Sequence, residues 1–184
     1  MATAVGTRIA GKPMGLRGWV FQDWKVNRGS PAHQVILAWF RLAQRARSRW
    51  GIFGKLAVSA PYTLITALFL SMELPVTATV GPRLRLYHKH AIVIHSNAVI
   101  GSDCHLRQGI TIGNKTDRRG NDLGVATLGN GVDLGAHCVV IGPIHVGDHA
   151  RIGALAVVTK SVPDYGIVVG NPGRVIRIDD QEER

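Results

Sequence analysis

Side chains able to do acid–base chemistry are unevenly placed along this 184-residue chain. There are eight histidines, and a neutral imidazole with an ordinary pKa near 6.5 can accept the proton of an attacking alcohol at physiological pH. Two of them, His88 and His90, share the short run Tyr87-His88-Lys89-His90. A second polar run, Asn114-Lys115-Thr116-Asp117-Arg118-Arg119-Gly120-Asn121-Asp122, offers amides, cations and carboxylates. Cys104 and Cys138 have no CxxC pairing and form no disulfide framework, so they read as small core residues in a reducing compartment.

What must position these runs is a six-residue period. Leu74, Val80 and Leu86 set one register; Ile94, Ile100, Leu106 and Ile112 set a second; Leu128, Leu134, Val140, Val146, Ile152 and Val158 continue without a slip. Helical spacing of three and four is missing from this region. A short fixed period of this kind predicts a stacked parallel coil, with each aliphatic residue pointing inward from a short strand and Gly allowing the corners. Three hexads make one turn of a triangular prism, and turns stack at roughly 4.8 Å. The two chemically rich runs are the two breaks in this period. One inserts two residues between Leu86 and Ile94; the other stretches the interval from Ile112 to Leu128 to sixteen, so a polar loop leaves the prism. On the residues alone His88 and His90 both stand as candidate bases, and His95, His105, His137, His145 and His149 read as ordinary coil residues. Histidines on a period of six line a wall without clustering, so no metal site is expected.

The first third of the chain has a different composition. Residues 1–60 hold ten Lys/Arg against Asp23 alone, while 61–184 are nearly balanced. Met1 to Gly18 lacks the apolar core of a signal peptide, which favours a cytoplasmic protein. Residues 1–29 read as a flexible basic arm. Ser30-Pro31 is a helix start, and Val35, Ile36, Trp39, Phe40, Leu42 and Ala43 make an apolar stripe, with Arg41, Arg45 and Arg49 on another side and His33 near its start. From Ile52 to Met72 the chain approaches membrane-spanning length, but Lys55 and Pro61 favour a shorter helix from about Pro61 to Met72 that covers the open end of the coil. The expected organisation is therefore an arm (1–29), a helical segment (30–72), the coil (73–170) and a tail (171–184). Residues 1–60 could rest on an anionic membrane, where each cation contributes about 1 kcal/mol, or be a solvated face. No nucleic-acid module is present, and no nucleic acid is expected as a partner.

Taken together, Glu73-Leu74-Pro75 through Leu86-Tyr87-His88, Ala98-Val99-Ile100-Gly101, Gln108-Gly109-Ile110-Thr111-Ile112-Gly113-Asn114-Lys115 and Val169-Gly170-Asn171-Pro172-Gly173-Arg174-Val175 resemble the hexapeptide-repeat acyltransferases. The resemblance is to the serine O-acetyltransferase group, nearest its shorter, exopolysaccharide (colanic-acid-type) branch. It implies a mainly β protein, a left-handed parallel β-helix preceded by a small α-helical segment. The handedness comes from the resemblance alone, since left-handed crossovers are rare.

The resemblance also implies roles. His88 falls where the family carries its general base, and Glu73 where it carries an acid that orients that base. Both substrates bind together and acetyl passes directly from acetyl-CoA, without an acyl-enzyme. The family's CoA groove lies between neighbouring prisms of a homotrimer, with a dimer of trimers as the alternative assembly. Gly113, Ala136 and Ala154 match small positions along the pantetheine arm; Asn114 and Lys115 lie near the thiol; Lys160 and Arg174 match phosphate partners, Arg174 having Asp179 or Asp180 as alternative partners. Where serine acetyltransferases carry arginine and histidine before the hexad of Leu128, this chain has Gly124-Val125. An amino-acid carboxylate would find no cation there, whereas a sugar hydroxyl needs none. The expected acceptor is a sugar or lipid-linked glycan. Free serine is the alternative substrate, and a non-catalytic assembly prism the alternative class.

Overall fold

In the computed structural model, which describes residues 15–179, the hexads become rungs of a three-walled parallel β-helix. The first coil is β1 (Thr79–Val80), β2 (Arg85–Leu86) and β3 (Val93–Ile94); the second is β4 (Val99–Ile100), β5 (His105–Leu106) and β6 (Thr111–Thr116). A short strand β7 (Asp122–Val125) folds back antiparallel on β6. The third coil is β8 (Thr127–Leu128), β9 (Asp133–Leu134) and β10 (Val139–Ile141); the fourth is β11 (His145–Val146), β12 (Arg151–Ile152) and β13 (Val157–Val158). Strand β14 (Gly166–Val169) adds a last parallel rung, and β15 (Arg174–Ile178) closes that edge antiparallel.

Register explains the period. Thr79, Val99, Thr127 and His145 stack on one wall; Arg85, His105, Asp133, Arg151 and Ile167 on the second; Val93, Thr111, Val139 and Val157 on the third. The residue after each of these points inward, and all thirteen aliphatic hexad positions are buried, the most exposed being Val80 at 7%. Corners stack as tightly as walls: a Cβ on Gly101 would lie 2.2 Å from the Gly129 carbonyl oxygen, so only glycine fits there. Cys104 and Cys138 are fully buried, and that burial pushes both thiols up to about 12.

The segment before the coil differs from its sequence reading in three ways. Residues 1–14 lie outside the described residues, but from Leu16 the expected flexible arm is a packed element: α1 (Leu16–Val20) followed by turns that bury Asp23 and Asn27. Helix α2 (Pro31–Arg49) starts where Ser30-Pro31 predicts, yet Arg41 is fully buried and not on a solvated face. The helix expected from about Pro61 is present, but it is the last part of a longer helical run that begins ten residues earlier, at Gly51. The run comprises α3 (Gly51–Gly54), a π-helical turn (Lys55–Ser59) and α4 (Ala60–Leu70). The wider turn sits just before Pro61, where a regular α-helix would crowd the proline ring. The run Gly51–Leu70 is long and apolar enough to cross a membrane by length and composition, its most apolar 18 residues having mean hydropathy 1.5 with 22% of them buried.

Arg41 explains why the arm is not loose. Its Nε donates to Asp23 Oδ2 at 2.7 Å, and its other nitrogens donate to the carbonyls of Val80 (2.7 Å) and Gly81 (2.6 Å). Asp23 Oδ1 accepts from the Leu84 amide at 2.9 Å, while Asn27 takes the Leu84 carbonyl and the Leu86 amide. These side chains occupy backbone groups that an uncovered first rung would leave open. Leu37, Phe40, Tyr62 and Met72 extend the coil's core upward, and the Tyr62 hydroxyl donates to the Leu74 carbonyl at 3.2 Å. Removing one partner leaves the other charge buried. Asp23→Ala or Arg41→Ala is therefore expected to lower unfolding free energy by about 3–5 kcal/mol in urea titrations, whereas Arg49→Ala, on an exposed residue, stays within about 0.5 kcal/mol of the parent.

Candidate active site

The three walls meet at three edges, and the residues expected to do chemistry occupy two of them. The first break forms the opening corner of the edge between the second and third walls. Beneath it the corners are linked by backbone bonds: Gly109 N to His90 O (3.2 Å), His137 N to Gln108 O (2.9 Å) and Leu155 N to Ala136 O (2.9 Å). His88, Ala136 and Ala154 therefore share this edge. Below them Gly173 N binds Val157 O, and Arg174 opens β15 with its guanidinium exposed and bonded to the Gly173 carbonyl. Of the two acids offered as alternatives for Arg174, Asp179 pairs instead with Arg151 and Arg177, and Asp180 lies outside the described residues.

The second break leaves the coil at the edge between the third and first walls, as a β-hairpin rather than a plain loop. β6 runs past its rung through Gly113, Asn114 and Lys115, and Asn114 pairs with Val125 on β7. The tip is tied by Asp117, whose carboxylate accepts from the Arg119 and Asn121 amides and the Asn121 side chain, holding it below the usual carboxylate range. Asp122 is likewise held low, chiefly by the Gly124 amide and then by Asn114. Lys160 lies exposed on the same edge two coils further on. Gly113, Asn114, Lys115 and Lys160 thus stand across the third wall from His88, Ala136 and Ala154.

Glu73 begins the third wall. Its amide donates to Ile92 O (2.7 Å) and its carbonyl accepts from Ile94 N (2.8 Å), while its side chain is exposed. Within the single chain no hydrogen bond or ion pair joins its carboxylate to His88. His88 is itself exposed, so a substrate hydroxyl can reach the imidazole.

Two features escape the spacing of the sequence. His33, on α2, is only 8% exposed, and its Nδ1 has no hydrogen-bond partner. Its pKa is lowered first by burial and then by the positive fields of Lys89, His88 and His90, so the helical segment reaches the first break. His105, read as an ordinary coil residue, belongs to a cluster with Tyr87. The Arg85 and Arg107 guanidinium carbons lie 4.6 and 4.5 Å from the Tyr87 ring centroid, and the His105 ring meets it edge-on at 5.8 Å. Arg107 pairs with Asp133. Burial, ahead of the opposing Asp133 charge, lowers the His105 pKa. By contrast His137 and His149 pack at the corners against Gly109 and Gly131, where a Cβ would strike their rings, and these two are structural. Among the described residues no three His, Cys, Asp or Glu converge as a metal site would require.

The three-walled prism of hexapeptide rungs and the likeness to curated acetyltransferases place the chain in the hexapeptide-repeat acyltransferases, and it is an acetyl-CoA-dependent acetyltransferase. It is 41% identical over 114 residues to the putative colanic acid biosynthesis acetyltransferase WcaB of Escherichia coli, covering 62% of this chain and 68% of WcaB. It is 37% identical over 111 residues to the serine acetyltransferase of Mycobacterium tuberculosis, covering 60% of this chain but 48% of that enzyme. The fold matches the crystal structure of Vibrio cholerae serine acetyltransferase with a TM-score of 0.73 at 22% identity, over 91% of this chain and 68% of that one. No family model matches the chain.

The two lowered histidines set a pH dependence. Each has a folded pKa below its ordinary 6.5, so on acidification the unfolded chain takes up protons first. Their contribution to stability is complete above pH 6.5 and is lost as pH falls through the lowered values. Thermal melts are expected to hold level from pH 8 to 7 and to drop once the pH falls below 6.5. His33→Gln flattens that drop.

Proposed function

We propose that this chain transfers acetyl from acetyl-CoA to a sugar hydroxyl in exopolysaccharide or capsule assembly. The observation that carries the reading is the hairpin opposite Asn114, where Gly124 and Val125 offer no cation to an amino-acid carboxylate. The likeness to WcaB supports the same acceptor class. In this mechanism His88 takes the hydroxyl proton as the oxygen attacks the acetyl thioester, and the CoA thiolate leaves in one displacement within a ternary complex. Glu73 orients the imidazole once the site closes, by a carboxylate contact that the isolated chain leaves unmade. The coil is left-handed, and three copies assemble so that the His88 edge of one prism meets the hairpin edge of the next. The groove between them holds CoA along Gly113, Asn114, Lys115, Ala136 and Ala154, with Lys160 and Arg174 on its phosphates. Free serine is the second reading, favoured by the 37% identity to a serine acetyltransferase.

Acetyl-CoA turnover followed by thiol release, with L-serine set beside a panel of sugar and lipid-linked glycan acceptors, tests this. Turnover with a glycan and none with serine is expected. His88→Ala should lower it by about 10²–10⁴-fold while leaving CoA binding intact. Turnover with serine alone overturns the sugar reading, and no CoA binding at all would make the prism a structural partner.

The helical segment is proposed to hold the enzyme at the cytoplasmic face of the membrane. Phe53, Leu68 and Phe69 are 79%, 68% and 75% exposed, and no acid occurs between Asp23 and Glu73 to oppose Arg47, Arg49 and Lys55. Apolar insertion and attraction to anionic lipid then act together. Full-length protein is expected to float with vesicles rich in phosphatidylglycerol and less with pure phosphatidylcholine. Undiminished flotation of a Phe53→Ser, Phe69→Ser variant would refute the assignment.

A further inference from the structure

We infer that Arg85 and Arg107, packed on Tyr87 immediately before His88, form a subsite for the carboxylate or phosphate of a negatively charged acceptor sugar. The inference rests on the sugar-acetyltransferase reading and names the class of sugar; the arginines lie on the second wall and not at the Gly124-Val125 positions of the hairpin, so the two features concern different ends of an acceptor.

Parallel register brings the cluster together. Arg85 lies opposite His105 and Leu86 opposite Leu106, so the next outward position sets Tyr87 beside Arg107. Strand alternation puts Arg85 and Tyr87 on the same outer face. Two guanidinium groups are thereby held against one aromatic ring, an arrangement that like charges resist unless an anion offsets them. Asp133 offsets one. It binds Arg107, whose Nη1 also donates to the Leu134 carbonyl. Among the described residues Arg85 has no acidic partner, only the face of Tyr87. Stacking on a ring is worth about 0.5–1 kcal/mol at an exposed site and leaves the N–H fork unused. That fork matches a carboxylate or phosphate in a bidentate fashion.

The surroundings carry the same sign. Lys89 follows two residues after Tyr87, and the half-buried His105 borders the ring with its pKa lowered partly by both arginines. An acceptor anchored here lies against Tyr87, the residue that precedes His88, whose imidazole would deprotonate its hydroxyl. A neutral sugar gains nothing from this cation excess. A uronic acid or a sugar phosphate does.

Saturation-transfer NMR on the full-length protein provides a test independent of turnover, with methyl glucuronide, glucose 1-phosphate and methyl glucoside as probes. The charged probes are expected to bind at least tenfold more tightly than the glucoside, and whichever of the two is tighter identifies the anion. Arg85→Gln should weaken the charged probe by about 10- to 100-fold and leave the glucoside and CoA unaffected, with Arg85→Lys recovering part of the loss. Equal binding of all three probes, or an Arg85→Gln effect that reaches the glucoside equally, overturns the subsite. Thiol release with the same probes separates the two proposals. If charged probes bind through Arg85 but only serine is acetylated, the anion site is real but the sugar reading falls and takes the site's assignment to an acceptor sugar with it; if a glycan is acetylated and Arg85→Gln changes no binding, the subsite alone falls.

Discussion

The coil can exist as a folded unit only if its first rung is covered, and a buried arginine makes the cover. A parallel β-helix satisfies its backbone by stacking, so every rung depends on the one above it and the topmost depends on something else. Here the something else is side-chain chemistry. Arg41 takes the carbonyls of Val80 and Gly81, and Asp23 and Asn27 take the open groups of Leu84 and Leu86. A fully buried guanidinium is tolerable because its charge is matched by Asp23 and its N–H groups have acceptors. The helices are thus part of the prism in energetic terms, although they share none of its repeat.

That coupling bears on the site. Helix α2 carries Arg41 toward the first rung and, two turns earlier, His33 toward the first break. The break that presents His88 thus has a backbone-bonded corner stack below it and His33 of α2 within electrostatic range. The base proposed for this turn would need such support, since a small misplacement of the reacting groups lowers the rate steeply.

The coil was readable because its signal is redundant: thirteen aliphatic positions repeat one instruction, and the two places where the instruction lapses are the places where polar side chains gather. Arg41 was not readable, because helical spacing groups it with Arg45, and its burial depends on an aspartate eighteen positions earlier on another element. A clue existed, since Asp23 is the only acid among the first sixty residues. Tyr87 and Arg107 are neighbours only once the two extra residues of the first break are counted into the coil length. His105 looked bland for the same reason. The partnership of Glu73 with His88 comes from resemblance alone, and in the chain both side chains are exposed with no hydrogen bond or ion pair between them.

The hairpin has a wider meaning for how this architecture can change. Val99 pairs with Thr127 in the same register that joins Thr79 to Val99, although the chain between them carries the whole excursion of β6 and β7. Length added at a corner is invisible to the stack. The fold therefore separates grammar from vocabulary: rungs obey a fixed syntax of inward aliphatic and tight corner, while corners accept new words without rewriting the sentence. A lineage built on such a prism can alter what it recognises by editing two turns, leaving the scaffold that holds them untouched.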